Sequence, residues 1–302
     1  MKSAQALVLA LLILASNADP PCWANLVNEA ADLSSDGPAR GKDLIETGFD
    51  LLYELKFEGA RSQFSTWQKE NLNDPLGDVS IAASYLFEEF YRQHVLTSEF
   101  FLNNARLLGG IEGQPDRNRK GRFDEANQRG RNLALRQLQA HPGDANALFA
   151  LTLATGMQAD FTCILEKHPL QGLSLTKEAE GYAKKLLASR PDETDAFLAL
   201  GAANYIIGSL PAYKRFFLWF GRIHGDKRLG MEQLRITAER GHYLKPFAKV
   251  FLALAAMREN QQDLARKQLS DLVAQYPDNP LFASELARLN RQAVPAGKPG
   301  RD

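Results

Sequence analysis

The chain has 302 residues, and its 36 basic and 36 acidic side chains leave no formal net charge. That balance excludes the broad cationic excess with which nucleic-acid binders neutralise phosphates. With 45% hydrophobic and 24% charged residues, the composition is that of a globular chain and excludes a disordered one.

The first segment reads as a signal for export. Lys2 supplies the positive start, Ala4–Ala15 an apolar run, and Ser16-Asn17-Ala18 the small residues of a cleavage site. The run is too short for a membrane span of roughly 20 residues and fits a cleaved secretory signal. Residues 1–18 are therefore assigned to a signal peptide, with cleavage after Ala24 and an uncleaved anchor as the alternatives. Pro20 and Pro21 before Cys22 disfavour a lipoprotein signal. The expected location is exported, periplasmic or extracellular. No other apolar run reads as long enough to span a bilayer. Residues 19–40 form an N-terminal linker with a short helix at Trp23–Leu33. Cys22 and Cys163 lack CxxC or zinc-ligand spacing; export permits a bond between them, and two separate thiols are the other reading.

From Gly41 the apolar spacing is helical. Leu44, Gly48, Leu51, Leu52 and Leu55 make one helix face, Phe57-Glu58-Gly59 reads as a turn, and Ala60-x3-Phe64 opens a second helix that ends before Pro75. A second unit, 77–142, starts on Val79, Ala82, Ala83 and Leu86. Its second helix is delayed to about Arg122–Gln139 by a glycine-rich connection. The Arg117–Arg136 stretch is the most basic of the chain and reads as a solvated, partly compensated face, or as a patch for an anion or acidic partner. The third unit, 145–191, carries Leu148-x2-Leu151-Thr152 and then Ala179-x3-Ala183, with Pro169, Gln171 and Gly172 expected in the turn between. The fourth, 194–242, carries Phe197-x2-Leu200-Gly201 and Gly230-x3-Leu234, separated by an aromatic insert over residues 206–221. The fifth, 246–279, turns at Arg258–Gln262 and carries Ala265-x3-Leu269. Residues 280–291 read as a capping helix and 292–302 as a flexible tail.

A small residue, then an apolar one four positions on, then proline eight residues later occurs three times, ending at Pro142, Pro191 and Pro277. In this repetition, residues 41–291 resemble the tetratricopeptide repeat (TPR) family. Gly225-Asp226-Lys227-Arg228-Leu229-Gly230 is similar to a segment of exported bacterial repeat proteins. The resemblance implies an all-α, right-handed α-solenoid of TPR-like hairpins, some elongated, with a C-terminal capping helix. It also implies that the first helix of each unit lines a concave groove. The groove positions are then Phe149, Leu153 and Met157; Leu198, Ala202, Tyr205 and Ile206; and Val250, Leu254 and Met257. This set is nearly all apolar, so something should cover it. One covering is the insert folding back, with Phe216, Phe217, Trp219 and Phe220 as plugs. The other is the insert as a lid over a ligand, or as a basic-flanked aromatic segment facing a membrane surface.

No catalytic constellation stands out. The five histidines show no metal spacing, Cys163 and His168 do not share a helix face, and Glu88 and Glu89 point apart. Asp226 reads as a helix cap, with Lys227 and Arg228 as an alternative anion site. The expected function is a non-enzymatic scaffold that binds a protein partner, without cofactor, metal or nucleic acid. The alternative is a periplasmic carrier of a hydrophobic small molecule, or a transporter accessory protein with an apolar internal cavity. A helical-repeat enzyme is the remote one.

Overall fold

The computed structural model describes residues 43–210 and 224–293. The expected signal peptide (1–18), the expected Trp23–Leu33 helix and linker, Cys22, the expected plug residues Phe216, Phe217, Trp219 and Phe220, and most of the expected tail lie outside the described residues. Within them the fold is all-α, with no strand.

The helices are α1 Leu44–Tyr53, α2 Phe57–Glu70, α3 Pro75–Arg92, α4 Ser98–Leu102, α5 Asn104–Gly109 and α6 Arg117–Ala140, then α7 Ala145–Asp160, α8 Pro169–Ser189 and α9 Phe197–Ser209. After the insert come α10 Lys227–Arg240, α11 Lys245–Arg258, α12 Gln262–Gln275 and α13 Pro280–Ala293. Aspartates start many of them: Asp43, Asp74, Asp116, Asp144 and Asp226 each accept a backbone N–H of the first turn. A carboxylate there satisfies orphan donors and sits at the positive end of the helix dipole. Asp226 is thus a cap, accepting from Arg228 N at 2.8 Å.

Three local expectations need correction. Phe57-Glu58-Gly59 is the first turn of α2. The reversal lies at Glu54–Lys56, where Leu55 takes a left-handed φ of 63° and Lys56 N donates to Leu51 O at 2.8 Å. Pro169 likewise opens α8, because its missing N–H is an orphan at that position. Gly172 lies inside α8, where a β-carbon would come within 2.8 Å of Cys163 Cβ. It lets α8 approach the end of the preceding helix. Third, α7 runs on through a π-helical turn, Phe161–Leu165. Together they make 21 residues, long and apolar enough to cross a membrane, with an 18-residue window of mean hydropathy 1.4. That window is 67% buried and the segment packs on α3, α6 and α8, so its apolarity is accounted for by core packing.

Each long helix packs on the next, and α1, α3, α7, α9 and α11 also touch in succession. Glycine sets the closest of these approaches. A β-carbon on Gly230 would stand 2.5 Å from Tyr205 N and 2.8 Å from Gly201 O, so α9 and α10 meet backbone to backbone. Gly48 of α1 receives the ring of Phe64, which is fully buried.

The first and last helices also meet. Tyr53 donates its hydroxyl to Tyr243 O at 3.0 Å, and Asn279 Nδ2 donates to Tyr53 O at 2.7 Å. Tyr276 donates to Asp50 Oδ1 at 2.8 Å. Phe87 of α3 meets Phe247 of α11 edge-on at 5.4 Å, and Arg258 Nη1 donates to Phe101 O at 2.6 Å. Ser98 bonds Glu285. These contacts carry α1 to α4 across α11, α12 and α13.

Candidate apolar face

The expected groove positions fall into two classes. Phe149, Leu198 and Tyr205 are buried. Phe149 stacks on Tyr243, centroids 6.2 Å apart, and Tyr243 also meets Phe49 of α1 at 5.7 Å. Tyr205 crosses from α9 to α11, edge-on to Phe251 at 6.3 Å, and donates to Ala255 O at 3.2 Å. Burial and the neighbouring Glu259 push its phenol up to about 12. Leu153, Met157, Ala202, Val250, Leu254 and Met257 stay half-buried, and Ile206 is 41% exposed. Tyr205 therefore joins the fourth and fifth units, and Phe149 joins the third to the first through Tyr243. One covering of this face is α1 with Tyr243, an occupant that the sequence reading did not name.

On α7, residues 149, 153, 156 and 160 follow a four-three-four spacing, which places them along a single stripe. Leu153, Gly156, Met157 and Asp160 on this side are all half-buried, and a β-carbon added to Gly156 would meet nothing within 4 Å. The Asp160 carboxyl makes no hydrogen bond or ion pair among the described residues. Burial alone pushes it up to about 7. Asp160 was not singled out from sequence, although its spacing from Phe149 and Met157 already put it on this stripe.

The other buried acids are satisfied. Asp195 accepts from the backbone N–H groups of His242 (2.9 Å) and Tyr243 (2.8 Å), and its pKa is raised by burial against the lowering effect of these donors. Glu89 takes Arg119 Nη1 at 2.5 Å and Gln93 Nε2 at 2.8 Å. The basic α6 is largely compensated: Arg119 pairs with Glu88 and Glu89, Lys120 with Asp124 and Glu166, Arg129 with Asp78 and Glu125, and Arg131 with Glu178. Such pairing favours the solvated-face reading over an anion site.

Cys163 is a free, half-buried thiol. Burial, and to a smaller degree Asp160, push it up to about 11, far from the range of a reactive thiolate. Among the described residues no group of three or more His, Cys, Asp or Glu side chains is placed to hold a metal ion. A shallow, open depression lined by Glu70, Asn71, Leu72, Asp74 and Asn146 lies at the α2–α3 turn. No family model matches the chain, and a search of curated proteins finds no relative.

Proposed function

We propose that the chain folds as a right-handed, TPR-like α-solenoid and acts outside the cytoplasm as a non-enzymatic binding protein for a small apolar molecule. The observation that carries this reading is the half-buried apolar side of α7, α9 and α11, where a β-carbon on Gly156 would meet nothing within 4 Å among the described residues, while α1 to α4 reach across α11 to α13. An open groove admits an extended peptide along its length. A face crossed by Phe87, Phe101 and Tyr243 offers shorter stretches, suited to a compact apolar ligand. Native mass spectrometry of protein purified from its own host tests the reading. A retained hydrophobic adduct that organic extraction removes supports it, and a clean apo mass at every charge state contradicts it.

A protein-binding scaffold is the second reading. It is favoured by Leu170, 81% exposed on the first turn of α8, and Leu72, 77% exposed after α2. Loss of a captured partner on Leu170→Glu would support this reading, with the apolar adduct unchanged.

A further inference from the structure

We infer that Asp160 is the polar anchor of the apolar face and that the molecule held there is an amphiphile with a cationic amine head. The inference rests on the ligand reading above and names the chemistry of that ligand.

The geometry singles out this carboxyl. It continues the Leu153–Gly156–Met157 stripe into the last turn of α7, and it is the ionisable group of that stripe. Among the described residues it has no hydrogen-bond or ion-pair partner, whereas the buried Asp78, Glu89, Glu180 and Asp195 all have partners. The cations of α6 that could reach across are engaged elsewhere: Lys120 is held by Asp124 and Glu166 and lies over the Phe161 ring at 5.0 Å. Arg119 is held by Glu88 and Glu89. The nearby thiol of Cys163 stays protonated at neutral pH and brings no positive charge.

An ionised, unpaired acid on a half-buried apolar surface is unfavourable for folding, and above its raised pKa it is relieved when a cationic partner arrives. An ammonium group supplies the opposite charge and donors for the carboxylate oxygens. Its alkyl tail takes the place of water over Leu153 and Met157. A neutral alcohol leaves the carboxyl without a countercharge, and a fatty carboxylate meets a like charge. Burial alone raises the proton affinity of Asp160, with no lowering contribution from a cation among the described residues.

The test is displacement of an uncharged, environment-sensitive dye, Nile red, from delipidated full-length protein at pH 8. Competitors are dodecylamine, dodecanol, dodecanoate and propylamine, each below its micelle concentration. Dodecylamine should displace the dye at a concentration about tenfold or more below that of dodecanol, as one charge-assisted hydrogen bond provides. Dodecanoate should be weakest of the three, and propylamine should be inactive. In Asp160→Asn the advantage of the amine over the alcohol disappears while dodecanol is unchanged, and Asp160→Glu keeps part of it. Equal displacement by amine and alcohol in the parent, or an amine preference that survives Asp160→Asn, overturns the inference and leaves the ligand reading standing. Competition by propylamine as strong as that of dodecylamine overturns the amphiphile. Failure of the dye and every dodecyl probe to bind overturns the ligand reading, and this inference with it.

Discussion

Replacing Asp160 by asparagine isolates one carboxyl whose cost to the fold depends on pH. In the folded chain burial holds the acid at about 7, whereas in the unfolded chain it titrates near 4, as an ordinary aspartate. Between those values the folded chain keeps a proton that the unfolded chain has lost. The stability this group contributes is therefore fully present below about pH 4, falls as pH rises, and is gone above about 7. At about 1.4 kcal/mol per pH unit the interval sets an upper limit of roughly 4 kcal/mol. The side chain keeps some contact with water, which screens its charge, so about 1–2 kcal/mol is expected. Asparagine has nearly the same shape and no charge. Urea unfolding of parent and variant at pH 5, 6, 7 and 8 should show Asp160→Asn gaining stability over the parent by that amount up to pH 7, then levelling off. A difference that stays flat from pH 5 to 8, or a variant less stable than the parent at pH 8, would refute the claim that this carboxyl is desolvated and unpaired.

Other positions give independent checks. Gly230→Ala sets a β-carbon against the backbone of α9, 2.5 Å from Tyr205 N, where no rotamer change relieves it. A loss of about 1–3 kcal/mol in urea unfolding is expected, and an unchanged midpoint would contradict the backbone contact. Asn279→Ala leaves the buried Tyr53 O without its donor and removes the Asn279 Oδ1 acceptor of Leu281 N. About 1–3 kcal/mol should be lost, with faster amide exchange in both α1 and the start of α13. Faster exchange confined to α13 would show that the link to α1 is energetically idle. Cys163, with its thiol pushed up to about 11, should be alkylated at pH 8 on the order of 100-fold more slowly in the folded chain than in urea. Equal rates would place it in an open, polar setting.

Much of the helical order was legible because it rests on local signals. The prolines at 142, 191 and 277 fall in the turns between α6 and α7, α8 and the short turn before α9, and α12 and α13, and the spacings before them mark buried faces such as Ala265 and Leu269. The turn at Glu54–Lys56 was missed because Leu55 takes the left-handed conformation without a glycine or asparagine to announce it. Pro169 and Gly172 read from sequence as turn residues, although the proline starts a helix and the glycine serves a helix-to-helix contact. The meeting of α1 with Tyr243 and Asn279 joins residues about 190 and 226 positions apart, a distance no periodicity encodes. The apolar stripe could be projected from the repeat register, but only the packing separates buried Phe149 from half-buried Leu153, or leaves Asp160 without a partner among the described residues.

The most direct test of ligand binding at the apolar face is native mass spectrometry of the parent beside Met157→Glu. The substitution puts a charge on the half-buried stripe, in a side chain that can reach water, so the fold should survive and circular dichroism should be unchanged. The parent should carry a hydrophobic adduct, and the variant, purified in parallel, should appear at its bare mass. An adduct of equal occupancy in both, or a parent at its bare mass, would contradict the assignment of this face to a small apolar ligand.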